Sequence, residues 1–167
     1  AKVVTMSDSN GFVHDPNGID LALVKQLKEV ERKRIREYVT VRPEAEYHEG
    51  CSGVWQVPCD IALPCATQNE VTLEDAKKIV ANGAKYYIEV SNMPTTADAL
   101  NYLMDQKNLI VAPSKAVNAG GVCVSGLEMS QNSQRLSWAA EEVDAKLHQA
   151  MINIHKHSVE AAERYGL

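Results

Sequence analysis

Aromatic side chains make up only 5% of this chain, with a single phenylalanine, and no apolar run approaches the about 20 residues that span a bilayer. A cationic surplus is also missing. Lys and Arg total 17 against 22 Asp and Glu, a formal net charge of −5, which argues against nucleic acid or an anionic membrane as a partner. Trp55 and Trp138 therefore read as packing residues rather than as platforms for nucleobases. Cysteine is scarce and unpatterned: Cys51, Cys59, Cys65 and Cys123 contain no CxxC pair and none lies near a histidine at a zinc-site spacing. Reduced, mostly buried thiols and no metal are expected, and no histidine adjoins Cys65 or Cys123 to activate either as a nucleophile. His148 and His155 lie two turns apart on a helix whose stripe Val143, Leu147, Met151 and Ile154 reads as a core face. There is no secretory signal pattern, and the chain reads as cytoplasmic. Nor is there an initiator methionine. The chain opens on "AKVVTMSDSNG", an apolar, β-branched run with the look of a strand core, and closes on "HSVEAAERYGL", so both ends read as the interior of a longer protein.

What is present is the make-up of a globular domain, 167 residues with 45% apolar and 23% charged positions. Val3 to Met6 reads as a buried strand closed by turn formers from Ser7 to Gly11. Asp20 precedes an amphipathic helix with Leu23, Leu27, Val30 and Ile35 on its apolar side, and a short strand is expected near Ala45 to His48. "CDIALPCA", residues 59–66, is a buried strand ended by Pro64. Thr72 caps a helix over Leu73 to Ala81, stopped by Asn82-Gly83. "KYYIEVS" is a strand, Thr95 or Thr96 starts a helix, and "NLIVAPS" is a strand again. This alternation predicts parallel strands with crossover helices, a doubly wound, Rossmann-like α/β sheet, incomplete at both ends. In such sheets ligands sit at the carboxyl ends of the strands, which directs attention to the loops Ser7–Gly11, Pro64–Glu70, Ser91–Thr96 and Pro113–Gly121.

Those loops carry a resemblance. "CDIALPCATQNE", "NMPTT", "APSKAVNAGGVCVSGLEMSQNSQRLSW" and "EEVDAKLHQAMINIH" resemble the cofactor domain of hexameric glutamate dehydrogenases, and "SDSNGFVHDPNGI" resembles its second strand and loop. The likeness runs in order over nearly the whole chain. It implies a partial dinucleotide-binding domain over residues 1–115 and helices returning toward a catalytic domain over 116–167. It also implies reversible oxidative deamination of L-glutamate to 2-oxoglutarate and ammonium, in a homohexamer. The chain lacks a lysine–aspartate pair in a recognisable catalytic context, so the acid–base groups are expected outside it.

The resemblance and the residues together nominate two sets of site groups. For the dinucleotide they are Asp8, Ser9, Lys33, Arg34, Ala66, Thr67, Asn92 and Asn118. An acidic residue at the end of a Rossmann second strand suits the ribose 2′-OH of NAD, whereas a basic residue nearby suits the 2′-phosphate of NADP. "SDS" with "ERKRIRE" downstream resembles the NADP-specific members, so NADP is expected, with NAD as the alternative and a solvated helix face as the plain reading of the basic run. Ala66 and Thr67 are small enough to let ribose or pyrophosphate approach the backbone, and the resemblance puts Asn92 near the nicotinamide ribose. Val90-Ser91 departs from the family's more usual Gly-Ala there. Asn118-Ala119-Gly120-Gly121 leaves room for a flat ring, and a helix beginning at Ser125 would offer its N-terminal turn to a carboxylate. By resemblance Ser125 bonds the side-chain carboxylate of glutamate while Val122 packs on its methylenes. From spacing alone, Ser125 is an N-cap and the glycines are packing positions. Two rivals stay open: a non-catalytic dinucleotide-binding module, and a dehydrogenase acting on leucine or phenylalanine, which an apolar residue in place of Ser125 would favour.

Overall fold

The computed structural model describes residues 1–166. It is a mixed α/β fold built on two three-stranded sheets. Strands β1 (Thr5–Ser7), β2 (Gly11–His14) and β3 (Glu46–Glu49) pair in that order, both pairings antiparallel. Strands β4 (Ile61–Ala62), β5 (Tyr86–Ile88) and β6 (Ile110–Ala112) pair in parallel.

The antiparallel half departs from the parallel arrangement expected over the first strands. Only Asp8 to Asn10 separate β1 from β2, far too few residues for a crossover, and they close a hairpin instead. The Asp8 N–H donates to the Gly11 carbonyl at 2.9 Å, and the Asn10 N–H donates to Asp8 Oδ1 at 3.0 Å. The expected strand near Ala45 becomes β3, on the far side of β2. Beyond Asp20, whose Oδ1 accepts from the N–H groups of Ala22 and Leu23, the helix is shorter than its apolar period suggested. It runs as α1 (Leu21–Lys25) into a π-helical turn (Gln26–Val30) and stops where Arg32 takes φ +56°. Ile35 lies beyond that break in a separate 3₁₀ turn leading to α2 (Tyr38–Val41), yet still reaches the core with Leu27.

In the second half the forecast of alternating elements holds. Helix α3 (Leu73–Ala81) carries a full capping box between Thr72 and Asp75 and ends at Asn82, with Gly83 at φ +82°. Helix α4 (Ala97–Met104) starts after Thr96. Ala62 and Tyr87 face these helices in a core with Val71, Ile79, Ala99 and Leu103, while Ile61, Tyr86 and Ile110, aligned across the same sheet, stay exposed. A second core, with Val13, Leu27, Ile35 and Tyr38, belongs to the antiparallel half. Beyond β6, α5 (Ser114–Val117) and α6 (Ala119–Gln134) follow almost without a break, and α7 (Ala140–Tyr165) folds back on α6. The stripe Val143, Leu147, Met151 and Ile154 is half-buried along α7, whose neighbouring positions are mostly exposed.

The four cysteines are unpaired, but the expectation that they are mostly buried fails: Cys51 and Cys65 are exposed, Cys59 and Cys123 half-buried. Among the described residues no helix is long and apolar enough to cross a membrane, and no three of His, Cys, Asp and Glu converge as a metal site.

Gly11 is buried where β2 meets β3, and a Cβ there would land on the His48 carbonyl oxygen and the Tyr47 hydroxyl. The His48 carbonyl belongs to the paired backbone of β3 and cannot move aside by a rotamer change, so Gly11→Ala should lower stability by about 1–3 kcal/mol, the usual range for overpacking. The midpoint of urea unfolding checks it; an unchanged midpoint would mean that β3 can shift freely.

Candidate functional site

The carboxylate of Asp8, at the end of β1, is turned inward. Its Oδ1 accepts the Asn10 N–H; its Oδ2 accepts the Ile35 N–H at 2.9 Å and meets Lys28 Nζ at 3.4 Å. Burial opposes ionisation here, but the two backbone donors and Lys28 outweigh it and hold the Asp8 pKa below the ordinary carboxylate range. Ser9 is exposed, and its Oγ accepts from Arg34 Nη1 at 2.9 Å. The two basic candidates part company. Arg34 reaches Ser9, with no carboxylate pairing to it among the described residues, while Lys33 turns to Glu31 at 2.7 Å. The left-handed turn at Arg32 lies between the two partners and ends the helix ahead of Lys33, so Lys33 pairs across the turn and not along a helix face.

The loops after the parallel strands form a second group, joined by short links. The N–H groups of Val90 and Ser91 both donate to the Pro64 carbonyl. Glu70 Oε1 accepts the Ala66 N–H at 2.9 Å and lies 3.4 Å from Ser91 Oγ. Asn69 and Met93 both adopt positive φ, +56° and +48°, and the Asn69 N–H donates to the Met93 carbonyl. Asn118 Nδ2 donates to the Ser91 carbonyl at 3.0 Å, so its amide braces one loop against the next. Ala66, Thr67 and Asn92 are exposed along this edge. The Cys65 thiol donates to the Leu63 carbonyl, and desolvation of the sulfur followed by the nearby Glu70 carboxylate raises its pKa, the opposite of what a nucleophile needs.

Helix α6 corrects the reading of Ser125. The helix begins at Ala119, so Ser125 lies inside its second turn, not at its N-terminus, and its hydroxyl donates back to the Gly121 carbonyl at 3.2 Å. Asn118, Val122 and Ser125 are spaced four and three residues apart and share one face. Val122 is 78% exposed. Both glycines are helical: a Cβ on Gly120 would touch Leu147 and Met151 of α7 at 3.5 and 3.6 Å, whereas one on Gly121 would meet nothing within 4 Å. Gly120 thus serves helix packing, and Gly121 faces open space.

Lys28, Glu70 and Glu89 were not anticipated. Lys28 follows the basic-run logic but lies before it. Nothing in the local pattern marks Glu89, a 3%-exposed residue just after a strand among apolar neighbours.

Exposed polar loops at the carboxyl edge of parallel strands, together with a hairpin whose Ser9 carries a guanidinium paired to no carboxylate among the described residues, suit a ligand with separated anionic and polar parts, as a dinucleotide has. The model of the Glutamate/Leucine/Phenylalanine/Valine dehydrogenase family matches residues 1–167. The chain is 55% identical over 171 residues to the NAD-specific glutamate dehydrogenase of Clostridium symbiosum, a match spanning 100% of this chain and 38% of that protein. It is 48% identical over 169 residues to the NADP-specific glutamate dehydrogenase of Haemophilus influenzae, spanning 99% and 36%. A solved glutamate dehydrogenase matches with a TM-score of 0.85 at 55% identity, over 99% of this chain and 37% of that one. The chain belongs to this amino-acid dehydrogenase family. It spans little more than a third of the length of these relatives.

Two tests follow from the geometry. Gly121→Ala replaces a poor helix former in α6 at an unobstructed position, so stability should rise by about 0.5–1 kcal/mol. If that open space admits a ligand, turnover of the full-length protein should fall although the fold is firmer. Unfolding and rate measured on one preparation separate the two effects. For Asp8, a folded-state pKa below the unfolded one adds stability that is present above the unfolded value and lost as pH falls through the folded one. The destabilisation by Asp8→Asn should therefore be full at neutral pH and fade on acidification below the ordinary carboxylate range, as read from unfolding midpoints along a pH series.

Proposed function

We propose that the chain is the cofactor-holding part of an NADP-linked glutamate dehydrogenase. Residues 1–115 form part of its dinucleotide-binding domain, the two sheets being portions of a doubly wound whole, and 116–167 lead toward a catalytic domain. The full enzyme interconverts L-glutamate and water with 2-oxoglutarate and ammonium. The dinucleotide, when bound, supplies a hydride acceptor or donor at its nicotinamide ring. The residues of this chain bind and orient; proton transfer falls to groups outside it. A homohexamer accords with the family resemblance, and unpaired cysteines accord with a cytoplasmic setting.

The observation that carries the NADP reading is the engagement of Asp8. NAD recognition asks this carboxylate to accept a ribose 2′-OH, but its oxygens already serve Asn10, Ile35 and Lys28, which leaves it less to offer than a carboxylate facing solvent. Beside it, the Ser9 hydroxyl and the Arg34 guanidinium supply the donor and the cation that a 2′-phosphate requires. The NAD alternative has support as well, in the 55% identical NAD-specific relative. Ala66, Thr67 and Asn92 line the path of pyrophosphate and ribose, and Asn118 braces the loop under the nicotinamide. For the substrate, Ser125 exchanges its weak bond to Gly121 for one to the distal carboxylate, with Val122 against the methylenes. A hydroxyl here favours glutamate over leucine, phenylalanine or valine, whose apolar side chains do not repay its desolvation. A purely binding module lacks a reason for this second, substrate-facing set.

In the full-length protein, Arg34→Ala should raise KM for NADP severalfold, leave KM for NAD nearly unchanged, and lose its effect as salt screens the charge. Lys33→Ala should do less, because Glu31 already neutralises that ammonium. Equal losses for both cofactors would return the enzyme to the NAD-linked class. Ser125→Ala should reduce kcat/KM for glutamate by about 1–3 kcal/mol in transition-state terms. An unchanged kcat/KM would remove Ser125 from the substrate site.

A further inference from the structure

Glu89 directly follows β5 and is 3% exposed, and no Lys, Arg or His pairs with it among the described residues. Its two oxygens are held by two different loops. Oε1 accepts the Thr95 hydroxyl at 2.6 Å, and Oε2 accepts the Ser114 N–H at 3.1 Å. Thr95 has one hydroxyl proton and gives it to Glu89, so the Tyr87 hydroxyl, 2.7 Å away, must donate to Thr95. The relay Tyr87 to Thr95 to Glu89 therefore runs one way, and its end must be a group that accepts on both oxygens. A carboxylate does this and an amide cannot. Thr95 closes the loop that carries Asn92. Ser114 opens the short helix that leads through Asn118 to Val122 and Ser125. The Glu89 backbone N–H, bonded to the Ala112 carbonyl at 3.1 Å, fixes the carboxylate's own origin between them.

We propose that Glu89 is a positioning residue: its buried carboxylate clamps the Asn92 loop and the entry to α6 at one spacing, and so sets how closely the nicotinamide and the substrate α-carbon approach. This rests on the glutamate dehydrogenase reading above. Glu89 touches neither ligand and acts only through Thr95 and Ser114. Hydride transfer is unusually sensitive to such spacing, since about 1 Å of misplacement can cost roughly a hundredfold in rate.

The test uses the full-length protein, with Glu89→Gln, which keeps the volume but turns an N–H₂ toward one of the two donors, and Thr95→Val, which keeps the shape and removes one link. Three quantities are read for each: kcat, the primary deuterium isotope effect with α-deuterated glutamate, and NADPH affinity by fluorescence titration without substrate. Both variants should lose about tenfold in kcat, show a larger isotope effect as the chemical step becomes limiting, and bind NADPH within about twofold of the parent. A role in folding alone would lower the rate in proportion to the folded fraction and leave the isotope effect unchanged, and that result overturns the clamp. If Glu89→Gln does not accumulate, the isotope effect of Thr95→Val decides. A parent protein without glutamate-dependent reduction of either dinucleotide would sink the functional reading itself, which is a different outcome from an active parent with unaffected variants.

Discussion

A carboxylate cannot be taken out of water without several donors to meet it, and the parallel half of this chain is arranged around that requirement. Each hydrogen bond to such a charged group contributes about 1.5–3 kcal/mol, and leaving one donor unmatched costs a comparable amount. Glu89 therefore cannot be satisfied unless the loop ending at Thr95 and the turn starting at Ser114 are both in place. The neighbouring links from Pro64, Glu70 and Asn118 then tie the three loops beyond β4, β5 and β6 into one edge. The strained backbone at Asn69 and Met93 sits inside this frame, where the surrounding bonds hold both residues in conformations they would leave if free.

At the antiparallel half the same physics works with the opposite outcome. Donors of its own protein hold the Asp8 pKa below the ordinary carboxylate range and take up three of its about four acceptor positions, while Arg34 is left with donors to spare. The identity of the residue at a strand end thus says less about cofactor preference than the hydrogen bonds already made to it. An Asp in this place is read as an NAD signature when its oxygens face solvent. Here they face Ile35, Asn10 and Lys28.

Much of the fold was legible where local chemistry is self-contained. The Thr72–Asp75 box, the Asn82-Gly83 stop and the apolar stripe of α7 each declare an element from within a few residues. The hairpin at Gly11 was hidden because a four-residue strand between turn formers has no usable period, although Asp8 to Gly11 has the composition of a tight connection. The start of α6 was missed for a different reason. Two adjacent glycines disfavour helix by about 1 kcal/mol each, yet the helix runs through both, with Gly120 turned toward Leu147 and Met151 of α7. The exposed site candidates were within reach because loops after parallel strands are few. Lys28, Glu70 and Glu89 were not, since each takes one partner, Asp8, Ser91 and Ser114 respectively, from a segment distant in the chain.

The two sheets each carry their own hydrophobic core, with no residue common to both. Mutations at groups that share neither contacts nor hydrogen-bond partners combine nearly additively. The hairpin proposed to meet the adenosine end of a dinucleotide packs on one of these cores, and the loops proposed to meet the nicotinamide and the amino acid lie beside the other. Under that proposal coenzyme choice is set in one half of the chain and substrate choice in the other, and relatives of similar identity to this chain bear names of both kinds.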